Sequence, residues 1–248
     1  MKPLYPHHHY VVYNGKPLSD FSLYISGQGT FNSAERDVNK VEVPGKSGDL
    51  IFDKGRFKNV NVVYRDAFIL EDEDDATSFA RKMRELASFL KSNPGYHRLE
   101  DTYHPDEYRL AAYVAGIEPE VYQLVAGQFD LEFDCKPQRF MKSGEKSLTF
   151  TSNGKIFNPS SFDSKPIIRV FGNGTVSVGE ETMTISSHSQ QYIDIDCDMM
   201  NCHCGAVNCN SYVSLNSDAF PVLTPGPNGV NFSGNISKVM ITPRWWFI

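Results

Sequence analysis

Cys197, Cys202, His203, Cys204 and Cys209 are the densest cluster of chemistry-bearing side chains in the sequence. Thiolates and imidazole are the ligands zinc prefers. The spacing is not that of a zinc knuckle, which places two residues between paired ligands, because a single residue separates Cys202 from Cys204. These residues are the metal candidates, and the expectation is a surface loop with incidental thiols, no metal and no cofactor. Gly45-Lys46-Ser47 suggests a phosphate loop. That loop needs a glycine five residues before Gly45, where Lys40 stands, and a helix after it. Leu50-Ile51-Phe52 reads instead as a strand, so a tight Gly/Pro loop between two strands is expected. The run Glu71-Asp72-Glu73-Asp74-Asp75 lacks the glycine and spaced oxygens of a calcium loop and reads as a solvated helix start. Asp194, Asp196 and Asp198 lie close in sequence, but nothing pairs them across a cleft as glycoside hydrolysis requires. No nucleophile–base pair emerges, so no catalytic residue is assigned and an enzyme is not expected.

Other candidates have simpler readings. His7-His8-His9 reads as an exposed N-terminal arm. A strand would point Trp245 and Trp246 to opposite faces, one into the core and the other to an interface or a sugar platform. Asn173-Gly174-Thr175, Asn231-Phe232-Ser233 and Asn235-Ile236-Ser237 match the glycosylation acceptor but, with no signal peptide in view, read as turns.

The elements that must position these residues are mostly strands. In 248 residues, 40% are hydrophobic, 22% charged and 12% aromatic, an ordinary globular balance with room for two domains. The net charge of −6 argues against a nucleic-acid-binding surface. No apolar run is long enough to span a bilayer. The cysteine count is five and odd, with four cysteines between 197 and 209, which favours a reduced compartment over a disulfide framework.

One helix is expected after residue 71, with Phe79, Met83, Leu86, Phe89 and Leu90 on its apolar stripe and Asn93-Pro94-Gly95 as its stop. A hairpin turning at His104-Pro105-Asp106 follows. Earlier strands are expected at Tyr10–Tyr13, closed by Asn14-Gly15, at Leu18–Ile25 and at Asn59–Tyr64. Phe129, Leu131, Phe133 and Cys135 alternate with Asp130, Glu132 and Asp134, giving a strand with one buried and one acidic face, ended by Lys136-Pro137. From Lys142 the composition turns to Ser, Gly and Asn. Short strands then recur, among them Pro166–Phe171 with a return strand at Val176–Val178, and read as a β-sandwich.

YNGKPLSDFSLYI, VEVPGKSGDLIFDKGRFKNVNVVY, the helix with GYHRLEDTYHPDEYRLAAYV, FDLEFDCKPQRF, SKPIIRVFGNGTVSVGEETMTISSHSQQYIDID and ITPRWWFI stand in this order. Together they resemble the distal tail (Dit) proteins of long-tailed phages infecting Gram-positive bacteria. The resemblance implies a mainly β fold in two domains. Residues 1–140 would form an α+β domain, a β-sandwich or split barrel with one helix and a β-hairpin. Six copies of it close into a ring beneath the major tail tube protein, and DNA passes through the channel without specific binding. Residues 141–248 would form a galectin-like or carbohydrate-module-like β-sandwich that points outward. The implied partners are the other copies of a homo-hexamer, the tail-associated lysin or tail-fibre hub, and a receptor-binding protein. The implied place is the distal tip of the virion, after assembly in the host cytoplasm, with no membrane insertion. The family brings no catalytic residues, and its loop at 197–209 is not normally rich in thiols. Strand edges of the first domain would supply the two patches a ring needs. The acidic stripe would face the lumen. A carbohydrate-binding host-adhesion module is the alternative.

Overall fold

The first hairpin follows from its turn. Asn14 and Gly15 both take positive φ, 47° and 77°, as a two-residue hairpin turn demands. They join β1 (Val11–Tyr13) to β2 (Lys16–Pro17). The structure is a computed structural model that describes residues 9–26, 31–70, 76–122, 126–217 and 219–248. The acidic run at 71–75, His7 and His8 lie outside the described residues.

The chain divides into two compact units, Met1–Arg139 with Ile248, and Phe140–Phe247. In the first unit the expected strand at Leu18–Ile25 is instead a 3₁₀ turn, Leu18–Phe21, followed by a short β3 (Leu23–Tyr24). A 3₁₀ turn aligns residues three apart, so Leu18 and Phe21 are buried together. Ser22, at φ 58°, closes the turn by giving its N–H to Ser19. There follow β4 (Arg36–Val41), β5 (Leu50–Phe57), β6 (Val60–Leu70), α1 (Ala76–Lys91), β7 (His97–Asp101), β8 (Glu107–Ala112), β9 (Glu120–Tyr122) and β10 (Ala126–Met141).

An antiparallel sheet runs in the order β2-β1-β7-β8-β10-β6-β3, with β9 also beside β10. Helix α1 buries Phe79, Leu86 and Leu90 in a core shared with Tyr13, Tyr64 and Phe133, while Met83 and Phe89 pack at its margin. The alternation along β10 holds: Phe129, Leu131, Phe133 and Cys135 are all buried. Lys136-Pro137 does not end that strand, which continues to Met141. Its ladder with β6 stops at Cys135↔Val60, so Pro137, which has no N–H to give, lies past the pairing on that side.

The second unit contains β11 (Leu148–Phe150), β12 (Gly154–Asn158), β13 (Ile167–Phe171), β14 (Gly174–Val178), β15 (Glu181–Ile185), β16 (Ile193–Asp196), β17 (Asn201–Cys204), β18 (Val207–Asn208), β19 (Val213–Leu215), β20 (Gly226–Gly234), β21 (Lys238–Thr242) and β22 (Trp246–Phe247). One sheet is ordered β11-β21-β13-β16-β17-β18 and the other β12-β20-β14-β15-β19. Ile168, Val170 and Ile195 from the first share one core with Val176, Met183 and Val230 from the second, which makes a β-sandwich. The expected return strand does not pair with β13. β13 pairs with β16 and β21, whereas β14 pairs with β15 and β20 in the opposite sheet. Gly174, at φ 148°, makes that crossing possible, since a Cβ there would lie 2.1 Å from the Ser233 carbonyl oxygen.

Candidate assembly surface

β4 and β5 form a two-stranded sheet of their own, apart from the main sheet of the first unit. The turn that joins them holds the Gly45-Lys46-Ser47 triplet, and Lys46 gives its N–H to Val43 O at 3.1 Å. The segment is a loop between two antiparallel strands, so a phosphate loop has no helix to stand on. Ion pairs hold the base of the ribbon. Asp37 accepts from Lys54 at 3.0 Å and Arg56 at 2.7 Å, and Asp53 accepts from Arg36 and from the Gly55 N–H. These bonds keep both carboxyls below their ordinary range, the Lys54 bond leading at Asp37 and the Arg36 bond at Asp53.

The outer half of the ribbon has a different character. Register places Val41 opposite Leu50 and Asn39 opposite Phe52, so Val41, Leu50 and Phe52 share one face, while Ile51 takes the other. Their exposures are 45%, 39%, 56% and 65%. A two-stranded ribbon buries little behind either face, and adjoining apolar side chains this exposed make it a candidate contact surface.

The acidic face of β10 is the second notable surface. Asp130 accepts the N–H of Asp66 at 3.1 Å, where a bulge in β6 needs a cap. Asn61 donates to Glu132, and Asn59 donates to Asp134 at 3.0 Å. The donors to Glu132 and Asp134 are neutral, two amides and the Tyr96 phenol, and orient the carboxylates without cancelling their charge, whereas Asp130 has Arg65 at 3.8 Å.

Sequence reasoning missed a polar cluster in the first unit. Tyr64 donates to Asp101 at 2.8 Å, His104 Nδ1 lies 3.1 Å from the same carboxylate, and Arg139 reaches Glu107 at 2.8 Å. Burial, then the Asp101 charge, pushes the Tyr64 phenol well above its ordinary value, and burial pulls Arg109 down. These groups line a cavity of about 20 Å³, room for about one water and too small for a metabolite. They come from β6, β7, β8, β10 and the turn between β7 and β8, so no single local spacing announces them.

The cysteines are not on a surface loop, contrary to expectation. Cys197, Cys202 and Cys209 are buried in the sandwich core, and Cys204 is half-buried. The segment is a hairpin, β17–β18, and strand alternation turns His203 away from Cys202 and Cys204. Among the described residues, no three Cys, His, Asp or Glu side chains are grouped to hold a metal ion. Burial pushes the Cys197 thiol up to about 12 and Cys202 up to about 11.

The three aspartates also separate. Asp194 takes both bonds of Arg169, Asp196 both of Arg244, and Asp198 pairs with Lys165. Trp245 is core. Trp246 stacks on Phe162 at 4.5 Å and donates to Asp163 O, so a neighbouring ring occupies one indole face.

Fold and surfaces together define a mainly β protein of two units with an exposed apolar ribbon. Among solved structures, the Dit protein of phage SPP1 has this fold, with a TM-score of 0.72, covering 97% of this chain and 99% of that one at 14% identity. That protein is described as a paradigm of the hub adsorption apparatus in phages infecting Gram-positive bacteria. No protein-family model matches the sequence, and no curated protein matches it significantly.

Proposed function

We propose that this chain is a Dit-like distal tail protein, a structural hub at the tail tip of a phage infecting Gram-positive bacteria. The observation that carries the reading is the end-to-end correspondence with SPP1 Dit, 97% of one chain on 99% of the other, which includes both units in one order. Six copies close a ring through residues 1–140, beneath the tail tube protein, and residues 141–248 face outward to dock receptor-binding or lysin components. The apolar ribbon supports ring closure, because a closed ring needs a patch on each subunit that seats on a different patch of the next. The acidic face of β10 supports a channel lining, where negative charge repels passing DNA rather than binding it. The chain performs no catalysis of its own in this role.

The test is native mass spectrometry and electron microscopy of the full chain at high concentration, alone and with its tail tube protein. Ring formation follows mass action, so closure is expected at high concentration or on the tube end. Rings of six subunits support the reading, and monomers under every condition, tube present, sink it.

A further inference from the structure

We propose that Cys202 and Cys209 close a reversible disulfide across the β17–β18 hairpin when the chain meets an oxidising thiol–disulfide environment. The hairpin register pairs Cys204 with Val207 and His203 with Asn208 and ends there; Cys209 stands one residue past β18, at φ −120° and ψ 12°. The Cys209 N–H donates to the Cys202 carbonyl at 2.8 Å, and this one backbone bond sets Cys209 opposite Cys202, while the Cys202 N–H donates to the Asn210 side-chain oxygen. Opposed residues in antiparallel strands stand about 4.5–5.5 Å apart at Cα. That lies within the usual span of a disulfide, about 4.4–6.8 Å. Directly opposed side chains share a face, and here both point into the core. Cys204 shares that face but is opposed by Val207 and half-exposed, and Cys197 lies beyond the end of β16.

Access comes from the edge. β18 is the last strand of its sheet and both its residues are exposed, so its opening frees Cys209 without dismantling the sandwich. The Cys209 thiolate then attacks a small-molecule disulfide, forming a mixed disulfide and releasing one thiolate. The Cys202 thiolate attacks the Cys209 sulfur and expels the second. The protein loses two protons and two electrons, the reagent gains both as two thiols, and excess thiol reverses the reaction. The pairing depends on the hairpin alone and holds whether or not the chain assembles.

The test uses the full chain, reduced and then held in buffers of oxidised and reduced glutathione, with thiols counted after unfolding and bridges mapped by mass spectrometry. Two of the five thiols are expected to disappear in the oxidising buffer and to return in the reducing one. In Cys204→Ser the same loss is expected. Cleavage before Asp198 and before Val207 then puts Cys197, Cys202 and Cys209 on separate fragments, so the bridged pair is read directly. Cys202→Ala is expected to keep all its thiols. Five thiols surviving prolonged oxidation overturn the proposal, as does a bridge from Cys197 or closure in Cys202→Ala. Should Cys202→Ala fail to fold, the Cys204→Ser map alone decides.

Discussion

Asp196 shows how a charge survives in the second unit. Burial alone would raise its pKa, yet the Arg244 fork and the N–H groups of Met199 and Asp198 outweigh burial and hold the carboxyl below its ordinary value. A carboxyl depressed on folding contributes stability above its unfolded pKa and loses it as pH falls through the folded one. Arg244→Met is therefore expected to cost about 1–3 kcal/mol at neutral pH, the penalty for leaving a buried acceptor short of its donor. With Arg244 gone burial dominates and the Asp196 carboxyl rises above its unfolded value, so the deficit is largest at neutral pH and shrinks as pH falls and Asp196 takes a proton; urea titrations across pH read both effects. The buried thiols have the opposite sign. Cys197 is raised from 9.0 to about 12 by burial, so it stays protonated in the fold where the unfolded chain ionises, and stability falls as pH climbs through that window. In the native state at neutral pH, Cys204 should alkylate first, with Cys197, Cys202 and Cys209 protected; mass spectrometry after a short iodoacetamide pulse measures the order.

Periodicity is what made some elements legible. The stripe of α1 and the alternation on β10 each repeat over many residues, and both faces lie where the spacing puts them. Leu86 is fully buried, so Leu86→Ala should cost about 2–5 kcal/mol, read by denaturant unfolding; a change under about 0.5 kcal/mol would place it at the surface. Short apolar segments carry too few repeats to decide. Leu18–Ile25 has strand composition, but the αL residue Ser22 closes a 3₁₀ turn inside it. Sheet membership was illegible for another reason. Whether β14 returns beside β13 or crosses the sandwich depends on β20, more than fifty residues away, which takes the place beside it. The cysteine hairpin was misread because attention to ligand spacing hid the Gly205 turn that pairs its strands, with Gly205 at φ 57°.

At the scale of the whole molecule, the order of weak segments was legible and the ribbon's exposure was not, because a strand pattern alone cannot say whether a sheet lies behind it. That exposure gives the assembly reading its sharpest test. Ile51 and Phe52 belong to no core among the described residues, so Ile51→Asp with Phe52→Asp should leave monomer stability within about 0.5 kcal/mol of the parent. If neighbouring subunits cover the ribbon, each side chain contributes about 1.5–3 kcal/mol of apolar burial per contact. The two carboxylates would remove that contribution and add a desolvation cost, which Lys40, opposite Ile51 in the register, offsets only at that one position. Ring symmetry repeats the same defect at every interface, so the loss is cooperative and rings should vanish rather than shrink. Phe157→Asp is the matched control, since Phe157 is as exposed as Ile51 but belongs to the second unit, and it should leave rings intact. Native mass spectra of the parent and both variants at one concentration, beside their urea midpoints, decide the matter. Rings from the double variant at parental yield would place the subunit contact elsewhere on the first unit, and loss of rings in Phe157→Asp would move closure onto the sandwich.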